Sequence, residues 1–202
     1  MWKPFLRGTV PPVVAVALLA CAEPELPKTA ERIVPAAPRP AFTLRTTDGR
    51  PYDFRTRTAG RLTVLVFGYT HCPDVCPLEL ATLARVQDRL PRRVVERLQV
   101  VFVTTDPERD TPARLRDWVV NFHPLFEPLH GSPAEITAAL EQSGLAPSLK
   151  TERDSAGNYL VIHAAQLLVY TPDDSLHMAY LPTTRAEDWA RELPRLLERY
   201  GS

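Results

Sequence analysis

The chain has 202 residues, 45% of them hydrophobic and 24% charged, enough for one globular domain with a filled core plus some accessory sequence. Its 24 Lys and Arg residues cancel its 24 Asp and Glu residues. That balance excludes the basic footprint that a nucleic-acid backbone requires, so nucleic acid is not expected as a partner.

In chain order, the first segment is an address rather than part of the fold. Lys3 and Arg7 give a positive start, Val13 to Ala20 form a short apolar run, and Leu18-Leu19-Ala20-Cys21 closes it with small residues before a cysteine. The run is far shorter than the roughly 20 residues of a spanning helix. The segment resembles a bacterial lipoprotein signal, which implies a signal peptide over residues 1–20, cleavage before Cys21, lipid on the Cys21 sulfur, and a mature chain outside the cytoplasm on a membrane surface. An uncleaved short anchor with an incidental Cys21 is the alternative. Residues 21–40, rich in Pro and Ala, read as a semi-extended tether, so that the folded domain is expected over 41–202.

Ala41 to Thr46 and Pro51 to Phe54 flank Asp48-Gly49, which predicts a β-hairpin. Leu62 to Tyr69 and Leu98 to Thr104 are continuous apolar runs, as expected of strands buried on both faces. Between them Leu80, Leu83, Val86 and Leu90 mark one face of a helix, making a parallel βαβ unit. Thr111-Pro112 opens a second helix, and Ser132-Pro133-Ala134-Glu135 is a capping box opening a third, which Gly144 stops. Tyr159 to Ile162, Leu167 to Tyr170 and Leu176 to Tyr180 read as strands, the last two joined by a turn at Pro172-Asp173-Asp174. Thr184-Arg185-Ala186-Glu187 is expected to cap a terminal helix that Pro194 should kink. The expected class is α/β: a thioredoxin-like central mixed sheet flanked by helices, with an extra N-terminal β-hairpin.

Cys72 and Cys76 are the thiols left once Cys21 is assigned to lipid. A loop that short is a poor structural staple, because it removes little unfolded-state entropy. Pro73 and Pro77 force the helix to begin near Asp74, a good N-cap residue, which leaves Cys72 in the loop and Cys76 in the first turn. The positive helix end is expected to favour thiolate at Cys76. The pair suits metal binding or redox exchange, and a reversible disulfide stays open. Soft thiolates select Cu(I) or zinc. His71, His123, His130, His163 and His177 lie scattered, without the spacing of a four-ligand zinc site, whereas three-coordinate Cu(I) needs one further donor.

Phe67-Gly68-Tyr69-Thr70-His71-Cys72-Pro73-Asp74-Val75-Cys76-Pro77 closely resembles the active segment of the Sco/SenC family of copper proteins, and Thr105-Asp106-Pro107-Glu108-Arg109-Asp110-Thr111-Pro112 matches a second block of that family. The resemblance spans about Ala41 to Tyr200. It implies Cu(I) ligated by Cys72, Cys76 and a histidine before a late strand, which maps onto His163; Cu(II) is left open. It also implies a metallochaperone that takes copper from an extracytoplasmic donor and delivers it to the binuclear copper site of cytochrome c oxidase subunit II. Where the family usually carries Asp-His, this chain has Ile162-His163, which removes a group expected to tune the histidine. His71 is expected to position the loop, Asp106 to face the site edge or a partner, and Arg109 and Asp110 to build the loop. A thiol-disulfide oxidoreductase that reduces the partner's cysteines is the alternative, although its usual spacing is C-x-x-C. A peroxidase or redox sensor is a third reading.

Overall fold

The computed structural model describes residues 29–201. The expected signal peptide and Cys21 lie outside them. Strands β1 (Ala30–Pro38), β2 (Thr43–Thr46) and β3 (Pro51–Asp53) precede a short helix α1 (Phe54–Thr58). Then come β4 (Leu62–Gly68), α2 (Val75–Gln87), α3 (Arg92–Val95) and β5 (Leu98–Thr104). Helix α4 (Pro112–Val120), β6 (Glu127–His130) and α5 (Pro133–Gln142) follow. The chain ends with β7 (Leu149–Lys150), β8 (Val161–Ile162), β9 (Leu167–Tyr170), β10 (Ser175–Tyr180) and α6 (Ala186–Tyr200).

Eight strands form one mixed sheet in the order β1-β10-β9-β4-β5-β6-β2-β3. β4 runs parallel to β5, pairing Leu62 with Leu98 through to Gly68 with Thr104, and antiparallel to β9. The crossover through α2 makes this the expected βαβ unit. Alternation along β4 builds a core on each face. Leu62, Val64 and Val66 join residues of α2, α4 and α6, while Leu65 and Phe67 join residues of α5 and the β2–β3 hairpin. The strand ends of β4 and β5 therefore emerge between two packed layers, where open α/β sheets place their functional groups.

Three expectations are corrected. Ala30–Pro38, assigned to the tether, is an edge strand antiparallel to β10, so the folded part already includes Ala30. Its prolines disguise it, but an edge strand tolerates them, and the register slips between Arg32 and Ala37 around Pro35. Tyr159 to Ile162 does not enter the main sheet. Only Val161–Ile162 is strand, paired with Leu149–Lys150 in a separate two-stranded hairpin. Helix α6 begins without a side-chain cap at Arg185, because the Thr184 hydroxyl donates instead to the Leu181 carbonyl. The capping box of Ser132 and Glu135 on α5 is present.

Arg39, at the end of the supposed tether, is among the most buried side chains at 1% exposure. Its guanidinium donates to Asp174, Thr58, Thr63 and the carbonyls of Arg61 and Thr171, tying β1 to the loops at the base of β4 and β9. Replacing it strands some of these acceptors, but Thr58 also donates to the Phe54 carbonyl and Asp174 is half exposed. Arg39→Met is therefore expected to cost about 2 to 3 kcal/mol in urea unfolding, the penalty of leaving buried acceptors unpaired.

Candidate metal centre

β4 ends at Gly68, and the chain turns through Tyr69 to Asp74 before α2 begins. Gly68 permits a close approach: a Cβ there would sit 2.9 Å from both Cys76 Sγ and the Phe102 ring. The loop is fastened by Asp110, which is 1% exposed. Its carboxylate accepts from the Thr70 amide (2.9 Å), the Thr70 hydroxyl (2.6 Å) and the Thr104 hydroxyl (2.7 Å). Arg114 of α4 donates to the Thr70 oxygen, and His71 Nδ1 lies 3.5 Å from Asp110.

Asp74 holds the N-cap position of α2, but its side chain makes no capping bond. The Cys72 sulfur takes that role, accepting from the Cys76 amide at 3.4 Å. The electropositive helix end is thus trained on Cys72, not on Cys76 as expected. Cys76 is fully buried, and burial pushes its thiol well above the ordinary range, outweighing a backbone hydrogen bond from Tyr69. Both cysteines are free thiols, Cys72 partly exposed.

The β7–β8 hairpin supplies the third donor. Period-two alternation turns Tyr159, Val161 and His163 inward and Leu160 and Ile162 outward. Tyr159 and Val161 pack with Tyr69 and Cys76 in a small apolar cluster, while Leu160 is 51% and Ile162 60% exposed. The Ile162 side chain points away from the centre, so the loss of the family's usual Asp there removes nothing from the donors' inner face. His163 Nδ1 lies 2.9 Å from the Ala164 carbonyl, an acceptor only, so Nδ1 carries the proton. Burial lowers the imidazole pKa and keeps the ring neutral. The Nε2 lone pair then faces Cys76 Sγ at 3.7 Å, with Tyr69 edge-on to the ring. A trigonal ion bonded at about 2.3 Å to sulfur and about 2.0 Å to nitrogen sets those atoms about 3.7 Å apart. Among the described residues no three donors yet surround one point. The Cys72 sulfur accepts from the Cys76 amide and its side chain also hydrogen-bonds the Cys76 thiol.

Asp106 stands at the site edge but is completely buried, which rules out the partner contact considered for it. It accepts from the Tyr159 hydroxyl and pairs with Arg109. His123 packs on Phe126, His177 stacks on Tyr200 and Met178 lies in the core, as expected of packing residues.

Glu79, one turn beyond Cys76, was not singled out from sequence. It is 2% exposed, neither carboxylate oxygen has a hydrogen-bond partner, and burial, with Cys72 adding to it, raises its pKa from 4.5 to about 8. The folded state therefore keeps a proton that the unfolded state loses above pH 4.5. Stability is expected to fall as pH rises from about 5 to about 8, by at most about 1.4 kcal/mol per pH unit from this group. Urea unfolding of Glu79→Gln across that range should show a flatter dependence.

The fold and site define a class, a thioredoxin-like α/β protein with a C-x3-C loop and a histidine brought against it from a late hairpin. The chain belongs to the SCO1/SenC family, whose profile matches residues 31–198. Apo Sco1 from Thermus thermophilus superposes with a TM-score of 0.75 at 34% identity, over 84% of this chain and 96% of that one. Arabidopsis thaliana ScoI, solved with copper bound, gives 0.72 at 30% identity, over 81% of this chain and all (100%) of that one. A candidate copper-binding protein of Stutzerimonas stutzeri is 34% identical over 77% of this chain and 76% of its own length. The mitochondrial SCO1 homolog 1 of Arabidopsis thaliana is 39% identical over 56% of this chain, but the match spans only 34% of that relative.

Proposed function

We propose that this protein is an extracytoplasmic copper metallochaperone that carries one Cu(I) between Cys72, Cys76 and His163. The cargo passes to the binuclear copper site of cytochrome c oxidase subunit II. The observation that carries the reading is the His163 imidazole, neutral, with its free nitrogen aimed at Cys76 Sγ at 3.7 Å. Two sulfurs and one imidazole form a soft donor set suited to Cu(I). The copper-bound Arabidopsis relative supports the same cargo.

On loading, the Cys72 and Cys76 thiols each give up a proton to solvent, and the Cys72 sulfur exchanges the helix amide for the ion to complete the set. Cys72 is the exposed member, so release starts there, with a partner thiolate displacing it by ligand exchange. The receiving site therefore also carries paired cysteines. The lipoprotein-like start supports an exchange at a membrane surface, on lipid carried by Cys21, with an extracytoplasmic donor supplying the metal.

Anaerobic titration of the reduced protein with Cu(I) against a competing colorimetric chelator tests this. One tightly held equivalent is expected. If the protein cannot compete for Cu(I) yet reduces a disulfide substrate, thiol-disulfide exchange takes the place of copper delivery.

A further inference from the structure

Among the described residues the β7–β8 hairpin has no strand pairing to the main sheet, yet it delivers His163 to a buried sulfur. Something other than backbone pairing must fix it. Its inner face reaches the apolar cluster through Tyr159 and Val161, but apolar contact alone sets no direction. Lys150 pairs with Glu108 at 2.6 Å and the Val161 backbone hydrogen-bonds the Tyr69 phenol, while a further group of directional contacts gathers on one residue, Tyr159. The Tyr159 hydroxyl donates to Asp106 Oδ1 at 2.8 Å, and Arg109 Nη1 donates to the Tyr159 carbonyl at 3.0 Å. The Arg109 guanidinium lies 3.6 Å from the centre of the Tyr159 ring and pairs with the same Asp106 carboxylate. Arg153 and Lys150 cover the ring at 4.5 and 5.1 Å.

Asp106 is in turn rigid, since its amide donates to the Thr104 hydroxyl at the end of β5. The next residue, Thr105, donates its amide to the Gly68 carbonyl at 2.7 Å, at the root of the cysteine loop. A continuous set of contacts thus links the end of β4, the end of β5 and the hairpin.

We infer that Tyr159 is a positioning residue, which through Asp106 and Arg109 holds the β7–β8 hairpin so that His163 Nε2 stays against Cys76 Sγ. The inference rests on the reading of His163 as a donor to the cargo. Such buried contacts behind a ligand govern its orientation, and losing one typically weakens metal binding about 10- to 100-fold. Tyr159→Phe keeps the ring and its cationic neighbours and removes only the hydroxyl anchor.

Two measurements test it. In the metal-free protein, NMR cross-relaxation between the His163 and Tyr69 rings, whose centres lie 5.8 Å apart, reports the hairpin's position without copper. Tyr159→Phe is expected to weaken that signal, and Asp106→Asn to do the same. Cu(I) competition then compares Tyr159→Phe with wild type, and Tyr159→Phe/His163→Ala with His163→Ala. A loss of about tenfold is expected in the first pair and none in the second. Wild-type ring contacts in Tyr159→Phe overturn the inference, as does an equal affinity loss in both pairs, the mark of a merely structural role. Should wild type hold no Cu(I), the copper reading falls and the ring contacts alone decide the positioning role.

Discussion

Cys76→Ala is expected to lose Cu(I) affinity by about two to three orders of magnitude, the largest functional effect of any single change here. A structural zinc site gains about 10 to 16 kcal/mol from four donors, so one donor accounts for about 2.5 to 4 kcal/mol. Cys72→Ala should behave alike. His163→Ala should lose about tenfold less, because a neutral imidazole contributes no charge to a cation. The pH dependence separates the cysteines from a generic soft site. The Cys76 thiol is protonated at neutral pH because burial raises its pKa, so binding must expel that proton. Affinity should then rise about tenfold per pH unit from this group alone, and that component should disappear in Cys76→Ala. Chelator competition at pH 6, 7 and 8 measures both.

Asp110→Ala is expected to be the most destabilising substitution at the site, by about 3 to 5 kcal/mol in urea unfolding. Its carboxylate is the shared acceptor for the Thr70 amide, the Thr70 hydroxyl and the Thr104 hydroxyl. Removing it leaves buried donors without a partner, each costing about 1 to 3 kcal/mol. Because Thr70 lies in the cysteine loop, two residues before Cys72, Cu(I) affinity should fall in the same variant.

How legible these features were depends on how local their cause is. The β4–α2–β5 unit follows from two apolar runs and one helical stripe, and it stands as expected. The β1 strand was hidden because Pro35 and Pro38 and the exposed Val34 give it neither alternation nor an apolar run. Its pairing is decided by β10, which lies far away in sequence. Within the site, the C-x3-C motif located the thiols and the helix start. Which sulfur faces the helix end depends on burial, and sequence spacing does not report burial. Asp106 was expected at the site edge, but its bond to Tyr159 spans 53 positions. Arg109 and Asp110 build the loop, as their place in the second motif block implies. Hairpin alternation turns the side chain at residue 162 outward, which the spacing of the motif does not report.

The position of β1 sets a distance as well as a pairing. Had the sheet begun at Ala41, the stretch 22–40 between Cys21 and the domain would reach about 63 to 68 Å when fully extended. With Ala30 paired to Tyr180 and the Thr29 carbonyl accepting from the Leu181 amide, only residues 22–28 remain, with a reach of about 23 to 25 Å. On the reading of Cys21 as a lipid anchor, that leash is shorter than the bilayer is thick. The carrier would then patrol a thin layer next to the lipid headgroups, and an acceptor would have to present its thiols within that layer.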